Sequence, residues 1–183
     1  MRLFTALDPS SEVHEQLQAL LDRLRPTVRL RWTKPENLHL TVKFIGEWPP
    51  DRLAELQRAL ASVPAPPRFE VRFSGVGFFP NARAPRVFWV GVEAVPELTR
   101  LAADIDRALE PLGIAPEKRA YSPHLTLARI QERTPLAPLH QEIQLLPSAD
   151  FGAFCPEGFH LYESRLSPGG SIYTNIAEFP WRR

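Results

Sequence analysis

The amino-acid sequence predicts an α+β fold: two duplicated strand-helix-strand units, arranged as a bilobal body with antiparallel sheets around a central groove and a pseudo-two-fold axis. Two observations carry that expectation. A short pattern, His-x-Thr-x with apolar residues at x, occurs twice, as His39-Leu40-Thr41-Val42 and His124-Leu125-Thr126-Leu127. Each copy follows an apolar strand-like stretch and an amphipathic helical one at nearly the same distance, with 35 residues from Phe4 to His39 and 36 from Phe88 to His124. Like elements of a duplicated unit meet across a two-fold axis, which would set the two histidine strands against one shared groove.

In order along the chain, Leu3 to Leu7 reads as a strand, and Asp8-Pro9-Ser10-Ser11 supplies helix-start chemistry. Val13, Leu17, Leu20, Leu21 and Leu24 then recur at helical spacing until Pro26. A charged and aromatic connection, Arg29 to Pro35, leads into the first histidine strand, which Gly46 and Pro49-Pro50 close before a helix through Leu53, Leu56 and Leu60. Phe69, Val71 and Phe73 alternate as a strand should, and Val87 to Val92 forms another. Pro96 suits the first turn of a helix whose stripe is Leu98, Leu101, Ala102, Ile105 and Leu109, ending before Gly113. The second histidine strand follows. Phe154 to Leu166 and Ile172 to Phe179 read as two last strands joined by a tight turn at Ser167-Pro168-Gly169-Gly170.

Length and composition bound the partners. With 183 residues and no linker, one bilobal domain over residues 1–183 is expected. Lys+Arg 22 against Asp+Glu 21 leaves a formal net charge of +1, so there is no global basic field, and any nucleic-acid contact must be local. Cys155 is the single cysteine, which excludes an internal disulfide and a cysteine-rich zinc site and suits a reducing cytoplasm. No apolar run approaches the length of a membrane span, so no membrane partner is expected.

The histidine motifs carry the chemistry. Side chains alternate along a strand, so His39 and Thr41 share one face, as do His124 and Thr126. Five histidines and eight threonines would place one such pair by chance far less often than once, and here there are two in matching apolar frames. Cleaving a phosphodiester needs a base on the attacking oxygen and an acid on the departing one, on opposite sides of phosphorus. Two imidazoles, with ordinary pKa values near 6.5, supply both, and each proton transfer is worth on the order of a hundred- to ten-thousand-fold. The threonine hydroxyls can donate to non-bridging oxygens where charge accumulates. Neither a metal nor another cofactor is required. Two near-identical motifs do not by themselves say which histidine is acid and which is base.

Four segments taken together resemble the 2H phosphoesterases, and within them the bacterial and archaeal RNA 2′,3′-cyclic phosphodiesterases, also described as 2′-5′ RNA ligases. They are Arg2 to Leu7, Arg31 to Glu47, Pro123 to Arg129 and Leu161 to Leu166, and the resemblance covers nearly the whole chain. It implies a LigT-like fold and metal-independent hydrolysis of a terminal 2′,3′-cyclic phosphate on RNA to a 2′-phosphomonoester, with 2′-5′ ligation as the reverse direction. It also implies catalytic roles for His39, Thr41, His124 and Thr126, with His39 as proton donor to the leaving 3′ oxygen and His124 as the acceptor that activates water. Phe44 and Arg129, each five residues past its histidine, match positions that stack on the terminal base and hold the phosphate. The partners implied are RNA ends or nucleotides carrying a 2′,3′-cyclic phosphate, taken by a monomer.

Strict alternation from His39 puts Phe44 on the opposite face of its strand, where an aromatic is more often core, and the same parity applies to Arg129. His14 falls in the polar register of its helix, His140 lies in a polar, proline-rich region, and His160 has Tyr162 where a threonine would be needed. None of these three is assigned to catalysis. Arg31, Trp32, Lys34 and Tyr121 flank the motifs and are candidates for the groove lining. Three other readings compete: another 2H activity on a small cyclic nucleotide, a binding module without turnover, and a metal site on His39 and His124. Retention of both His-Thr pairs speaks against the second, and the lack of further ligands against the third.

Overall fold

Two antiparallel sheets carry the chain in the computed structural model, which describes residues 1–93, 95–168 and 170–181. The elements run β1 (Arg2–Leu7), α1 (Ser11–Leu24), β2 (Arg31–Trp32), β3 (Leu40–Glu47), α2 (Leu53–Ala61), β4 (Val71–Phe79) and β5 (Val87–Val92). They continue with α3 (Pro96–Leu109), β6 (His124–Arg129), α4 (Ala137–Gln144), β7 (Asp150–Phe154), β8 (Gly158–Ser167) and β9 (Gly170–Pro180). One sheet has the order β3-β1-β8-β9 and the other β2-β6-β5-β4-β7. The α+β class and the antiparallel pairing are those expected from the two-unit pattern.

The helices follow their sequence signals closely. Ser10 caps α1, its hydroxyl accepting from the Val13 amide at 3.4 Å, and Val13, Leu17, Leu20, Leu21 and Leu24 are all buried. The α3 stripe is buried in full as well. Each buried valine, leucine or isoleucine among them contributes roughly 1.5–3 kcal/mol of apolar burial. The helices also cross over: α1 follows β1 of the first sheet yet lies against β7 of the second, while α3 follows β5 of the second sheet and lies against β3 of the first. Each of these helices therefore covers the sheet that does not contain the strand preceding it.

Three features depart from the expected elements. The strand read from Phe154 to Leu166 is two strands in different sheets, because Pro156 has no amide to donate and the ladder breaks between β7, which pairs with β4, and β8, which pairs with β1. The strand read from Phe69 begins at Val71, and Phe69 instead packs on Trp181 with ring centroids 5.9 Å apart. The segment around His140 contains α4, with a proline in its first turn, held to α1 by Arg23, whose Nε donates to Glu142 at 2.5 Å. The β8–β9 hairpin closes where a turn was expected, although Gly169 of that turn lies outside the described residues.

Candidate active site

His39 stands one residue ahead of β3 and His124 opens β6, and these strands lie side by side where the two sheets meet. Each imidazole is held in the same way. Nδ1 of His39 donates to the Asn37 carbonyl at 2.6 Å, and Nδ1 of His124 donates to the Ser122 carbonyl at 2.8 Å, in both cases two residues back along the chain. A carbonyl only accepts, so Nδ1 must carry the hydrogen, and Nε2 is left as the atom that exchanges a proton. Thr41 Oγ1 lies 3.1 Å from Nε2 of His39. Both histidines and both threonines line one cavity of about 610 Å³.

Phe44 and Arg129 line the same cavity, against the parity of a regular strand, and the register explains it. Thr41 pairs with Ala6 and Lys43 with Thr5, so Val42 is an extra residue in β3. On the other strand Thr126 pairs with Trp89 and Ala128 with Phe88, so Leu127 is extra in β6. A one-residue bulge reverses which side chains face each side of a strand. Consecutive residues are consequently buried after each threonine, Val42-Lys43 and Leu127-Ala128, and the next side chain turns to the groove. Phe44 is 63% exposed there. The two bulges occupy equivalent places in the two halves.

Charge in the groove is of one sign. Arg2, Arg31, Lys34 and Arg129 line it, no aspartate or glutamate does, and none of the four cations is in an ion pair among the described residues. The near-neutral chain thus concentrates positive potential where a phosphate would sit. Of the flanking candidates, Trp32 joins Arg31 and Lys34 in the lining, whereas Tyr121 is used structurally. Its hydroxyl donates to the Thr41 carbonyl at 2.8 Å, tying the two motifs together, and burial pushes its pKa above the ordinary value.

Burial pushes the His39 pKa below 6.5, and the bond to the Asn37 carbonyl and the negative charge of Asp8 oppose that shift. His14, expected in solvent, instead lies 2.8 Å from the Pro35 carbonyl and braces the turn ahead of His39. Sequence reasoning missed Asn37, whose Nδ2 donates to the Ser171 carbonyl of the β8–β9 hairpin at 2.7 Å, and it missed Asp8 and the aromatic cage of Phe4, Tyr162 and Tyr173 around His39. Asn37 stands two residues before His39, and its role shows only in the bond it makes to β9; Asp8 at the end of β1 and the aromatics of β1, β8 and β9 meet His39 only through the sheet pairing, which no local pattern records. Among the described residues no group of three or more His, Cys, Asp or Glu side chains is placed to hold a metal ion. No helix among them is long and apolar enough to cross a membrane.

The family model described as LigT like Phosphoesterase matches twice, over residues 7–89 and 90–173, which is the duplication read from the motifs. An RNA 2′,3′-cyclic phosphodiesterase of Archaeoglobus fulgidus is 36% identical over 98% of this chain and 99% of its own length. One from Thermus thermophilus is 36% identical over 100% of this chain and 91% of its own. A solved Thermus thermophilus structure superposes with a TM-score of 0.83 at 32% identity, covering 100% of this chain and 98% of that one. Escherichia coli LigT, solved with 3′-AMP, shares the fold with a TM-score of 0.77 at 24% identity, over 100% of this chain and 98% of its own.

Proposed function

Since the chain belongs to the LigT-like phosphoesterase family, we propose that it opens the terminal 2′,3′-cyclic phosphate of RNA, leaving a 2′-phosphomonoester. The observation that carries the reading is the matched pair of imidazoles, each anchored through Nδ1 to a carbonyl and each lining one cationic groove. Full-length relatives bearing the name RNA 2′,3′-cyclic phosphodiesterase support the substrate.

In this reaction water attacks phosphorus in line with the 3′ oxygen. His124 takes the proton of the attacking water on Nε2, the P–O3′ bond breaks, and His39 delivers a proton from Nε2 to the departing 3′ oxygen. The hydroxyls of Thr41 and Thr126 donate to the non-bridging oxygens as negative charge grows on them. Arg129 forks onto the same phosphate, and Phe44 offers its exposed ring to the terminal base. In the ligation direction the two histidines exchange roles, by microscopic reversibility. Every proton in the scheme is moved by an imidazole, so no Lewis acid is called for.

The test is turnover of an oligoribonucleotide ending in a 2′,3′-cyclic phosphate, in EDTA, with the product phosphate located by phosphorus NMR. Wild type should give the 2′-phosphate, and His39→Ala and His124→Ala should each lose on the order of 10²–10⁴-fold in rate. Full activity in either variant, or a folded wild type that binds the RNA without turning it over, would refute the reading.

A further inference from the structure

The two catalytic-site histidines differ in what stands beside them. Beside the groove is a second cavity of about 210 Å³, lined by both His39 and Asp8. Asp8 Oδ2 lies 2.8 Å from His160 Nδ1 and accepts from the Tyr162 hydroxyl at 2.6 Å. The Tyr162 ring is roughly parallel to the His39 imidazole at 6.3 Å, and Phe4 sits against both rings, 4.8 Å from His39 and 5.5 Å from Tyr162. His124 has a different neighbourhood, with the Phe79 ring edge-on at 4.9 Å and, among the described residues, no carboxylate within ion-pair distance.

We propose that Asp8, held in place by His160 and Tyr162, is a positioning residue whose charge supports the protonated form of His39 against the cost of its burial, and so equips His39 as the proton donor. This rests on the acid role given to His39 above. The set is adjustable, because His160 is itself titratable and sits on the same carboxylate oxygen. The bond to Asp8 raises the His160 pKa, and a protonated His160 cancels part of the field that Asp8 sends toward His39. Burial alone would raise the Asp8 carboxyl, but its bonds to His160 and Tyr162 and the His160 charge bring it below its ordinary value, so it remains an anion at neutral pH.

The other groups facing this corner come from several elements. His14 of α1 and Glu36 line the cavity with Asp8, and Tyr173 of β9 meets His39 edge-on at 5.0 Å. Glu178 of β9 reaches His160 by way of Asn175, which donates to Glu178 at 3.2 Å. In the groove His39 shares the lining with the cations Arg2, Arg31, Lys34 and Arg129. Asp8 is the negative charge that opposes the cost of burying His39 as a cation.

The experiment reads the His39 ring resonance by NMR through pH in wild type, Asp8→Asn and His160→Gln, together with the pH profile of kcat on the cyclic-phosphate oligonucleotide. Asp8→Asn should move the His39 titration, and the alkaline limb of the kcat profile, to lower pH. His160→Gln, which leaves Asp8 uncompensated, should move both to higher pH; a purely structural role gives no such opposite pair. In wild type the His39 resonance should show a second inflection as His160 titrates, a readout that needs no variant to fold. Unchanged His39 titrations with no second inflection would overturn the proposal. Shifted titrations with an unmoved kcat profile would leave the coupling in place and overturn the acid role of His39 on which the proposal rests.

Discussion

Lys43 Nζ lies 2.6 Å from Asp106 Oδ1, an ion pair in which the lysine is 7% and the aspartate 19% exposed. Lys43 is the residue that the β3 bulge turns inward, and Asp106 belongs to α3, the helix contributed by the other half of the chain. The lysine also donates to the Ala115 carbonyl at 2.9 Å, so its charge is anchored in the second half twice. Removing one partner of such a pair strands the other charge. We expect Lys43→Met to cost about 3 kcal/mol in urea unfolding, with the double variant Lys43→Met/Asp106→Leu recovering part of that loss. Additive losses would show that the pair is not coupled.

Phe44 tests the bulge at the level of function. An aromatic with most of its surface in the groove adds little to the core, so Phe44→Ala should unfold at nearly the wild-type temperature. Losing a stacked base should cost about 1–3 kcal/mol, seen as a raised KM for the cyclic-phosphate substrate. A drop in melting temperature as large as that of Phe73→Ala, which removes a fully buried ring, would mean that the ring serves packing instead.

The four cations of the groove make a prediction about salt. If an oligonucleotide backbone follows the groove, log KM should rise steeply with log salt, each phosphate contact adding a slope of about 0.7, while a mononucleotide cyclic phosphate should show a shallow dependence. Arg31→Ala and Lys34→Ala should each flatten the oligonucleotide slope. Equal slopes for both substrates would confine recognition to the terminal nucleotide.

The Asp8–His160 pair should also leave a signature in stability. His160 has a folded pKa raised above 6.5, so its contribution is fully present below that value and fades as pH rises through the raised one. Asp8 has a folded pKa lowered below 3.8, so its contribution is present above that value and is lost as pH falls through the lowered one. The urea midpoint difference between wild type and Asp8→Asn should therefore be widest from pH 3.8 to 6.5 and shrink on either side. A difference constant from pH 3 to 9 would show that the pair does not titrate with folding.

Some of the molecule was legible residue by residue. The helical stripes of α1 and α3 are buried as their spacing requires, because a 3.6-residue period leaves only one face for apolar side chains. Other parts were hidden for identifiable reasons. The α4 helix has a single buried residue, Leu139, and so carries no stripe to read. Two-residue β2 is a strand only because Arg31 and Trp32 pair with Arg129 and Ala128 across β6.

By itself, then, the sequence determined the duplicated frame and the pairing of each imidazole with a hydroxyl, since both depend on neighbours within a few residues. Tertiary structure decided the rest of the site. Whether Phe44 and Arg129 face the groove depends on Val42 and Leu127 standing as extra residues against β1 and β5, and a bulge is a property of two strands in register, not of one. The company of His39 was likewise settled by pairing: Asp8 meets Tyr162 and His160 because β1 lies beside β8, bringing together groups about 150 residues apart in the chain that no local periodicity connects.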